Sequence, residues 1–379
     1  MGSFLIKKSS ERSFEEKISK LSPKTRENIL SVKKSFNRFC IEKYDGRKDE
    51  DIFKELQSLD LERDKAIREV LQLYIDWLYQ KDTLTTTVRS YLSKVKRIFS
   101  HYGLKFDTKG FEDPLELKPI IREELHQLTI EEIQKIFKFA SHRKMSFYLA
   151  LASTGARPGE LLQIRKRDVD TSMERVKLRI QAENVKVRAG RSVWLTKEAG
   201  AWLMPRLKEL DEDDLVWAKN ENPSFALKNE STQFSKLVDK AGFGEKYQSN
   251  NFRQITLYSF RSFFFGQAAD IHREGYAHKI LGHGGYLPQY DRMSDKQKLD
   301  WFLKVEPELT IDETRRLRLK MSEMEDENNQ LKKLQLQLDN MSHMMMKQSA
   351  RLMRLEADKD VESDKKFPTP RQGKDIFSN

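Results

Sequence analysis

The chain has 379 residues, of which 34% are charged, and its net charge is +11. This length exceeds one compact unit and fits two domains with an extension. The positive excess favours a polyanionic partner, either nucleic acid or an acidic membrane surface, and a basic protein without such a partner is the simplest alternative.

Cys40 is the single cysteine, which excludes an intrachain disulfide and a cysteine-based zinc cluster. A reducing compartment is therefore expected, and we place the protein in the cytoplasm. No apolar run approaches the roughly 20 residues of a membrane span, and the N-terminus lacks the apolar core of a signal peptide. We expect no membrane partner.

The first hundred residues predict three amphipathic helices, because apolar residues recur at helical spacing. Their stripes begin at Ile29, Ile67 and Val88, and Ser22 before Pro23 marks one helix start. The third helix also carries a basic cluster that could lie along a phosphate backbone, with a solvated face as the alternative. The cluster consists of Arg89, Lys94, Lys96 and Arg97.

Glycine, proline and fading periodicity predict a linker over residues 106–127. Thr129 and Glu132 then form a capping box, and a second apolar helix runs toward Gly155. Alternating apolar residues around Leu178 and Val193 predict a small antiparallel β element.

Beyond residue 310 the apolar residues follow a heptad pattern with one three-residue step. This pattern predicts a self-associating coiled coil over residues 310–360, with Asn328 at a core position. A lone amphipathic helix packed on its own domain is the alternative. Residues 361–379 have few apolar anchors and are expected to be disordered.

The most informative segment reads Thr154-Gly155-Ala156-Arg157-Pro158-Gly159-Glu160-Leu161. Gly155 fits a helix C-terminus and Pro158 the first turn of the next helix, so Arg157 is expected at a tight junction between helices. An arginine fixed there can bind a phosphate through two N–H groups. A structural ion pair with a carboxylate is the alternative.

This segment resembles the first arginine motif of the tyrosine recombinases, the phage-type integrases, commonly written TGxRxxEL. Tyr258 and Arg261, three residues apart, resemble the family's HxxR motif, with tyrosine in place of the usual histidine. Leu257, Phe260 and Phe264 are expected on the buried side of the same helix.

Leu281-Gly282-His283-Gly284 resembles the family's LGH motif. Tyr290 follows His283 by seven residues, a shorter interval than is usual, and the resemblance of Tyr290-Asp291-Arg292 to the family's Tyr-x-Arg pattern makes Tyr290 the predicted nucleophile. Tyr286 is the alternative. The sequence contains neither a Walker-type phosphate-binding loop nor an HExxH zinc-binding pair.

The resemblance also implies a lysine on a β-hairpin, and Lys186 occupies that place. Lys177, Arg188 and Arg191 lie nearby in the sequence and are predicted to contact the DNA backbone in the ordinary way. The family's chemistry needs neither metal nor nucleotide. It implies that tyrosine attacks a DNA phosphate, two arginines stabilise the developing charge, histidine hydrogen-bonds the phosphate and lysine protonates the 5′ oxygen.

The predicted fold class is mainly α with a small antiparallel β-sheet (α+β). We predict a helical N-terminal core-binding domain over residues 1–105, the linker, and a catalytic domain over 128–309, which together clamp double-stranded DNA. The predicted function is site-specific DNA recombination or integration, as in mobile elements, by a homotetramer acting on two duplexes. Association through residues 317–355 is one way to join the protomers.

Two other functions fit the same resemblance. A catalytically silent DNA-binding or architectural protein could retain the fold, and Tyr258 and the short interval before Tyr290 favour that alternative. A type IB topoisomerase-like enzyme would share the chemistry but rejoin the same strand. Binding of the basic surface to a membrane or an acidic protein is a third alternative.

Overall fold

The structure is a computed structural model that describes residues 14–59, 61–106, 113–184, 190–282 and 293–364. These ranges are mainly helical, with one three-stranded antiparallel sheet, which confirms the predicted fold class. The chain divides into two units. The first contains residues 1–124 and 247–252, and the second contains residues 125–246 and 253–379.

The first unit is built from helices whose apolar stripes face a common core. Ser22 accepts a hydrogen bond from the Thr25 amide and Pro23 occupies the first turn, as the sequence predicts. The three apolar stripes that the sequence predicts are largely buried. Two further helices, at residues 14–19 and 49–58, were not predicted. The helices are α1 (Phe14–Ser19), α2 (Pro23–Lys43), α3 (Asp49–Ser58), α4 (Arg63–Gln80) and α5 (Thr85–His101).

Aromatic rings hold these helices together. Phe36 of α2 lies 5.1–5.7 Å, between ring centroids, from Phe53 of α3, Tyr74 of α4 and Phe99 of α5. All four rings are fully buried, so they contribute both buried apolar area and edge-to-face or stacked ring contacts. The core of the first unit is thus centred on Phe36.

The second unit is a helical domain with the sheet at one side. Thr129 and Glu132 form the predicted capping box at its first helix. Its helices are α6 (Ile130–Phe137), α7 (His142–Thr154), α8 (Pro158–Leu161), α9 (Lys197–Leu207), α10 (Pro223–Lys240), α11 (Ser259–Leu281), α12 (Asp295–Leu309) and α13 (Glu313–Asp364).

The sheet consists of strands β1 (Val169–Asp170), β2 (Lys177–Ile180) and β3 (Arg191–Trp194) in that order. β2 and β3 pair antiparallel, with Ile180 opposite Arg191. This pair is the predicted β element, whereas β1 was not predicted. Residues 185–189, which connect β2 and β3, lie outside the described residues.

Buried carboxylates fix the start of α13. Glu306 of α12 accepts hydrogen bonds from the Arg175 guanidinium, and Glu198 of α9 accepts them from the amides of Ile311 and Asp312. From there α13 continues to Asp364, four residues into the segment predicted to be disordered, and residues 365–379 lie outside the described residues. No helix in the described ranges has the length and hydrophobicity needed to cross a bilayer.

Candidate active site

Two helix C-termini meet in the second unit. Helix α7 ends at Gly155 with φ 56° and α11 ends at Gly282 with φ 66°, both left-handed conformations that favour glycine. A Cβ atom on Gly155 would lie 2.5 Å from Cδ2 of Leu281 and 2.7 Å from the Phe264 ring. Gly155 therefore allows the end of α11 to approach the end of α7.

Arg157 lies at the junction between α7 and α8, as the sequence predicts. Its amide donates to Oε2 of Glu160 at 3.0 Å, and its Nη1 donates to Oε1 of the same carboxylate at 2.9 Å. The Arg157 side chain remains 28% exposed, whereas that of Glu160 is only 3% exposed. Arg157 thus has the carboxylate partner that the structural alternative predicts, and its guanidinium is also accessible.

Arg191, the first residue of β3, reaches the same carboxylate. Its Nη2 donates to Oε2 of Glu160 at 2.6 Å, and its Nε donates to the Ile280 carbonyl at 2.9 Å. The side chain is 11% exposed. Its buried Nη1 has no hydrogen-bond partner among the described residues.

Arg261 is held between the two helix ends. Its Nη1 donates to the Gly155 carbonyl and its Nη2 donates to the Leu281 carbonyl, both at 2.8 Å. These carbonyls carry the partial negative charge of a helix C-terminus, which favours a cation there. Within the described part of the chain, the other N–H groups of Arg261 have no hydrogen-bond acceptor.

The cluster carries more positive than negative charge. Burial, followed by the charges of Arg157 and Arg191, lowers the pKa of Arg261 to about 10. Burial alone would raise the pKa of Glu160, but the hydrogen bonds and charges of Arg191 and Arg157 outweigh it and hold that pKa below its usual value. Three guanidinium groups therefore face one carboxylate, which makes the cluster suited to bind an anion such as a phosphate.

Tyr258 immediately precedes α11, and Arg261 is the third residue of that helix. The Tyr258 side chain is 50% exposed, while Leu257, Phe260 and Phe264 are buried as predicted. Tyr258 lies in the same helical turn as Arg261, whose amide donates to the Tyr258 carbonyl at 3.0 Å. A phenol in this place can donate a hydrogen bond to a bound anion.

The structure thus brings Arg157, Arg261 and Tyr258 together around the ends of α7 and α11. The other predicted catalytic residues and one predicted DNA contact lie outside the described residues. They are Lys186, His283, Tyr290 and Arg188.

Two basic residues near the hairpin, which were predicted to contact the DNA backbone, have carboxylate partners within the chain. Arg191 is mostly buried and bound to Glu160. Lys177 received the same prediction, but it is 9% exposed and forms ion pairs with Asp170 and Asp295 at 3.1 and 3.2 Å. The sequence did not reveal these partners, because they are distant along the chain or lie in an element without a sequence signal, and the predicted DNA contacts remain predictions.

The basic cluster on α5 lies in the first unit. Arg89, Lys96 and Arg97 are exposed and share one side of the helix, at spacings of seven and eight residues. Lys94 points elsewhere, because its Nζ donates to the Ser90 carbonyl and hydroxyl at 3.0 and 2.7 Å. Three of the four predicted residues therefore form a continuous basic surface.

The described residues contain no group of three metal-ligating side chains. The phage integrase family profile matches residues 126–260. A crystal structure of a lambda integrase dimer bound to a COC′ core site matches with a TM-score of 0.50 and 14% identity, covering 76% of this chain and 99% of that chain.

A lambda integrase tetramer bound to a Holliday junction has the same TM-score and identity, covering 76% of this chain and 80% of that chain. The XerA recombinase structure matches with a TM-score of 0.34 and 19% identity, covering 78% of this chain and 97% of that chain. At such identities the two lambda integrase matches establish the fold. No curated protein sequence matches this chain significantly.

Proposed function

Because the chain carries a domain of the phage integrase family, the tyrosine recombinases, we propose that it is a site-specific DNA recombinase that works through a 3′-phosphotyrosyl intermediate. The observation that carries this proposal is a cluster of three partly buried arginines, in which Arg157 and Arg191 bind the Glu160 carboxylate and Arg261 binds the carbonyls of Gly155 and Leu281. A surface that binds DNA only through its backbone would not need guanidinium groups fixed and desolvated in this way.

The chemistry requires such a cluster. Attack on a phosphodiester increases the negative charge on the non-bridging oxygens, and fixed guanidinium groups stabilise that charge without reorganising. Arg261 is anchored through two hydrogen bonds to backbone carbonyls, so its position does not depend on the substrate. Arg157 is more exposed and supplies a second donor to the phosphate.

The remaining roles follow from the sequence. The Tyr290 oxygen forms a bond to phosphorus while the bond from phosphorus to the 5′ oxygen breaks, and Lys186 protonates that oxygen. His283 and Tyr258 hydrogen-bond the phosphate. Attack by another DNA 5′ hydroxyl reverses the step, releases Tyr290 and joins the new strand, so no external energy source is needed.

Double-stranded DNA is the proposed partner. Arg89, Lys96 and Arg97 in the first unit and Arg188 in the second supply phosphate contacts. The two lambda integrase structures contain DNA, as a dimer on a core site and a tetramer on a Holliday junction. By analogy, we propose a homotetramer on two duplexes, acting on cytoplasmic DNA.

A nicked suicide substrate tests the proposal. Cleavage next to a nick releases a short fragment and traps the covalent protein–DNA adduct, which denaturing electrophoresis detects. We expect an adduct with the native chain, none with Tyr290→Phe, and a normal amount with Tyr286→Phe. An adduct that persists in Tyr290→Phe but not in Tyr286→Phe would move the nucleophile to Tyr286.

One observation supports a second function. Tyr258 stands where the family usually has histidine, and a phenol is a poorer proton acceptor than an imidazole near neutral pH. A catalytically silent DNA-binding protein of the same fold would bind duplex DNA through its basic residues and form no adduct on any substrate. A relaxing enzyme of the topoisomerase IB type would form the adduct but join no strands between duplexes.

A further inference from the structure

The exposed apolar stripe of α13 has no partner within the described residues of its own chain. Its side chains are 51–69% exposed from Leu317 to Leu352, although Leu and Met strongly prefer burial. The stripe contains Leu317, Met321, Met324, Leu331, Leu334, Leu338, Met341, Met345 and Leu352.

Another side of α13 contacts its own domain. Arg316, Leu319 and Lys320 are half-buried, and Lys320 forms an ion pair with Glu308 of α12 at 2.6 Å. Leu317 and Met321, on the stripe, are 53% and 61% exposed in the same turns. The helix therefore does not pack its stripe on its own domain, contrary to the alternative considered from the sequence.

The charges beside the stripe indicate what covers it. In the heptad frame with Met321 and Asn328 at position a, the g residues are Glu313, Lys320 and Glu327, and the e residues are Arg318, Glu325 and Lys332. In a parallel pair aligned in register, each g residue faces the e residue five positions later in the other chain. The facing pairs are Glu313 with Arg318, Lys320 with Glu325 and Glu327 with Lys332, all of opposite charge. Lys320 also forms the ion pair with Glu308 of its own chain, so its pairing with Glu325 shares that ammonium group.

An antiparallel pairing centred on the same segment can also bring opposite charges together, so the orientation is decided by Asn328. It brings g residues to g residues and e residues to e residues, and when Met321 packs against Met324 of the other chain, Lys320 faces Glu327 and Arg318 faces Glu325. In that register, however, Asn328 would pack against Leu317 without a polar partner. Asn328 therefore supports the parallel arrangement. A single asparagine at an a position pairs with itself in parallel two-stranded coiled coils and fixes the register.

We propose that α13 forms a parallel, in-register, two-stranded coiled coil with the α13 of a second copy of this chain, and that this dimer forms without DNA. The three-residue step between Leu331 and Leu334 locally overwinds the two helices, and the line of apolar residues between them continues beyond it. Since the association does not depend on cleavage chemistry, it is measured separately from adduct formation.

Disulfide trapping tests the orientation in the full-length chain. Cys40 is fully buried, so introduced thiols react selectively. Met324→Cys and Met345→Cys each place a thiol on the seam, where an in-register parallel pair brings identical positions within disulfide reach. We expect both variants to form covalent dimers on mild oxidation, and Asp326→Cys, on the opposite side of the helix, to form far fewer.

The same experiment can overturn the proposal. An antiparallel pair brings at most one of two positions 21 residues apart against itself, so cross-linking of only one variant excludes the parallel arrangement. A monomer, a trimer or a tetramer in sedimentation equilibrium at tens of micromolar protein without DNA excludes the two-stranded dimer.

A charge exchange tests the register. Glu327→Lys makes its pair with Lys332 repulsive at two symmetric places, and we expect the dimer dissociation constant to rise about tenfold. Combining it with Lys332→Glu restores an attractive pair and should recover most of the affinity. If the double variant stays as weak as the single one, these residues do not face each other and the proposed register is wrong.

Discussion

Replacing Glu160 by glutamine tests whether this carboxylate organises the arginine cluster. Oε2 accepts from the Arg157 amide and from Nη2 of Arg191, while Oε1 accepts from Nη1 of Arg157. An amide has only one acceptor oxygen. If that oxygen keeps the two bonds of Oε2, the NH₂ group faces the Arg157 guanidinium, donor against donor.

The expected cost follows from these contacts. Losing one partner of a buried ion pair costs about 3–5 kcal/mol, and a single charge-assisted hydrogen bond contributes about 1.5–3 kcal/mol. Because the Arg157 side chain is 28% exposed, solvent recovers part of the loss. We therefore expect Glu160→Gln to lower the free energy of unfolding by about 3 kcal/mol, and to reduce adduct formation because Arg157 is no longer fixed.

Urea unfolding at neutral pH measures this change, with Glu209→Gln at an exposed position as the matched control. Since the native-state pKa of Glu160 is lowered, its charge stabilises the fold above the ordinary glutamate pKa, and this contribution is lost as the pH falls through the lowered pKa. The difference in unfolding free energy between the native chain and Glu160→Gln should therefore become smaller as the pH is lowered. A decrease in unfolding free energy of less than about 1 kcal/mol, or a decrease that does not depend on pH, would refute this reasoning.

Three further substitutions probe the same site. Gly155→Ala should lower the free energy of unfolding by about 2–4 kcal/mol, because alanine is strained at this left-handed φ and its Cβ would lie 2.5 Å from Leu281. An unchanged melting temperature would contradict this prediction. Tyr258→Phe should change the free energy of unfolding by less than about 0.5 kcal/mol, but it should slow single-turnover adduct formation at least about tenfold. An unchanged rate would show that the Tyr258 hydroxyl takes no part in the reaction. Arg191→Lys should lower the free energy of unfolding in urea by about 1–3 kcal/mol, since a lysine ammonium cannot bind the Glu160 carboxylate and the Ile280 carbonyl together as the planar guanidinium does. An unchanged free energy of unfolding would show that this two-point binding does not stabilise the fold.

Local signals predicted much of the fold. The left-handed end of α7 at Gly155, the capping box at Thr129 and the three apolar stripes of the first unit each depend on residues within one or two turns, so the sequence reveals them. Strand β1 has only two residues and shows no periodicity. The sequence did contain a signal for α3, where Ile52, Phe53 and Leu56 form a short buried stripe that was overlooked.

The arginine cluster was only partly predictable. Arg157 and Arg261 could be identified because each lies in a local motif that resembles a known family. Arg191 lies in no motif, and its partners Glu160 and Ile280 are 31 and 89 residues away along the chain. Such a contact depends on how β3 packs against α11, which no pattern within a single segment encodes.

The last turn of α11 supplies the carbonyls of Ile280 and Leu281 that anchor Arg191 and Arg261. Helix ends fray at lower energy than helix interiors, so this turn can open while the rest of the domain stays folded. Opening would remove one anchor from each guanidinium group at once, leaving Arg191 bound to Glu160 and Arg261 bound to the Gly155 carbonyl. On heating, we therefore expect the proposed adduct formation to decline before global melting, and we expect substitutions that weaken this turn to reduce it although the arginine side chains themselves are unchanged.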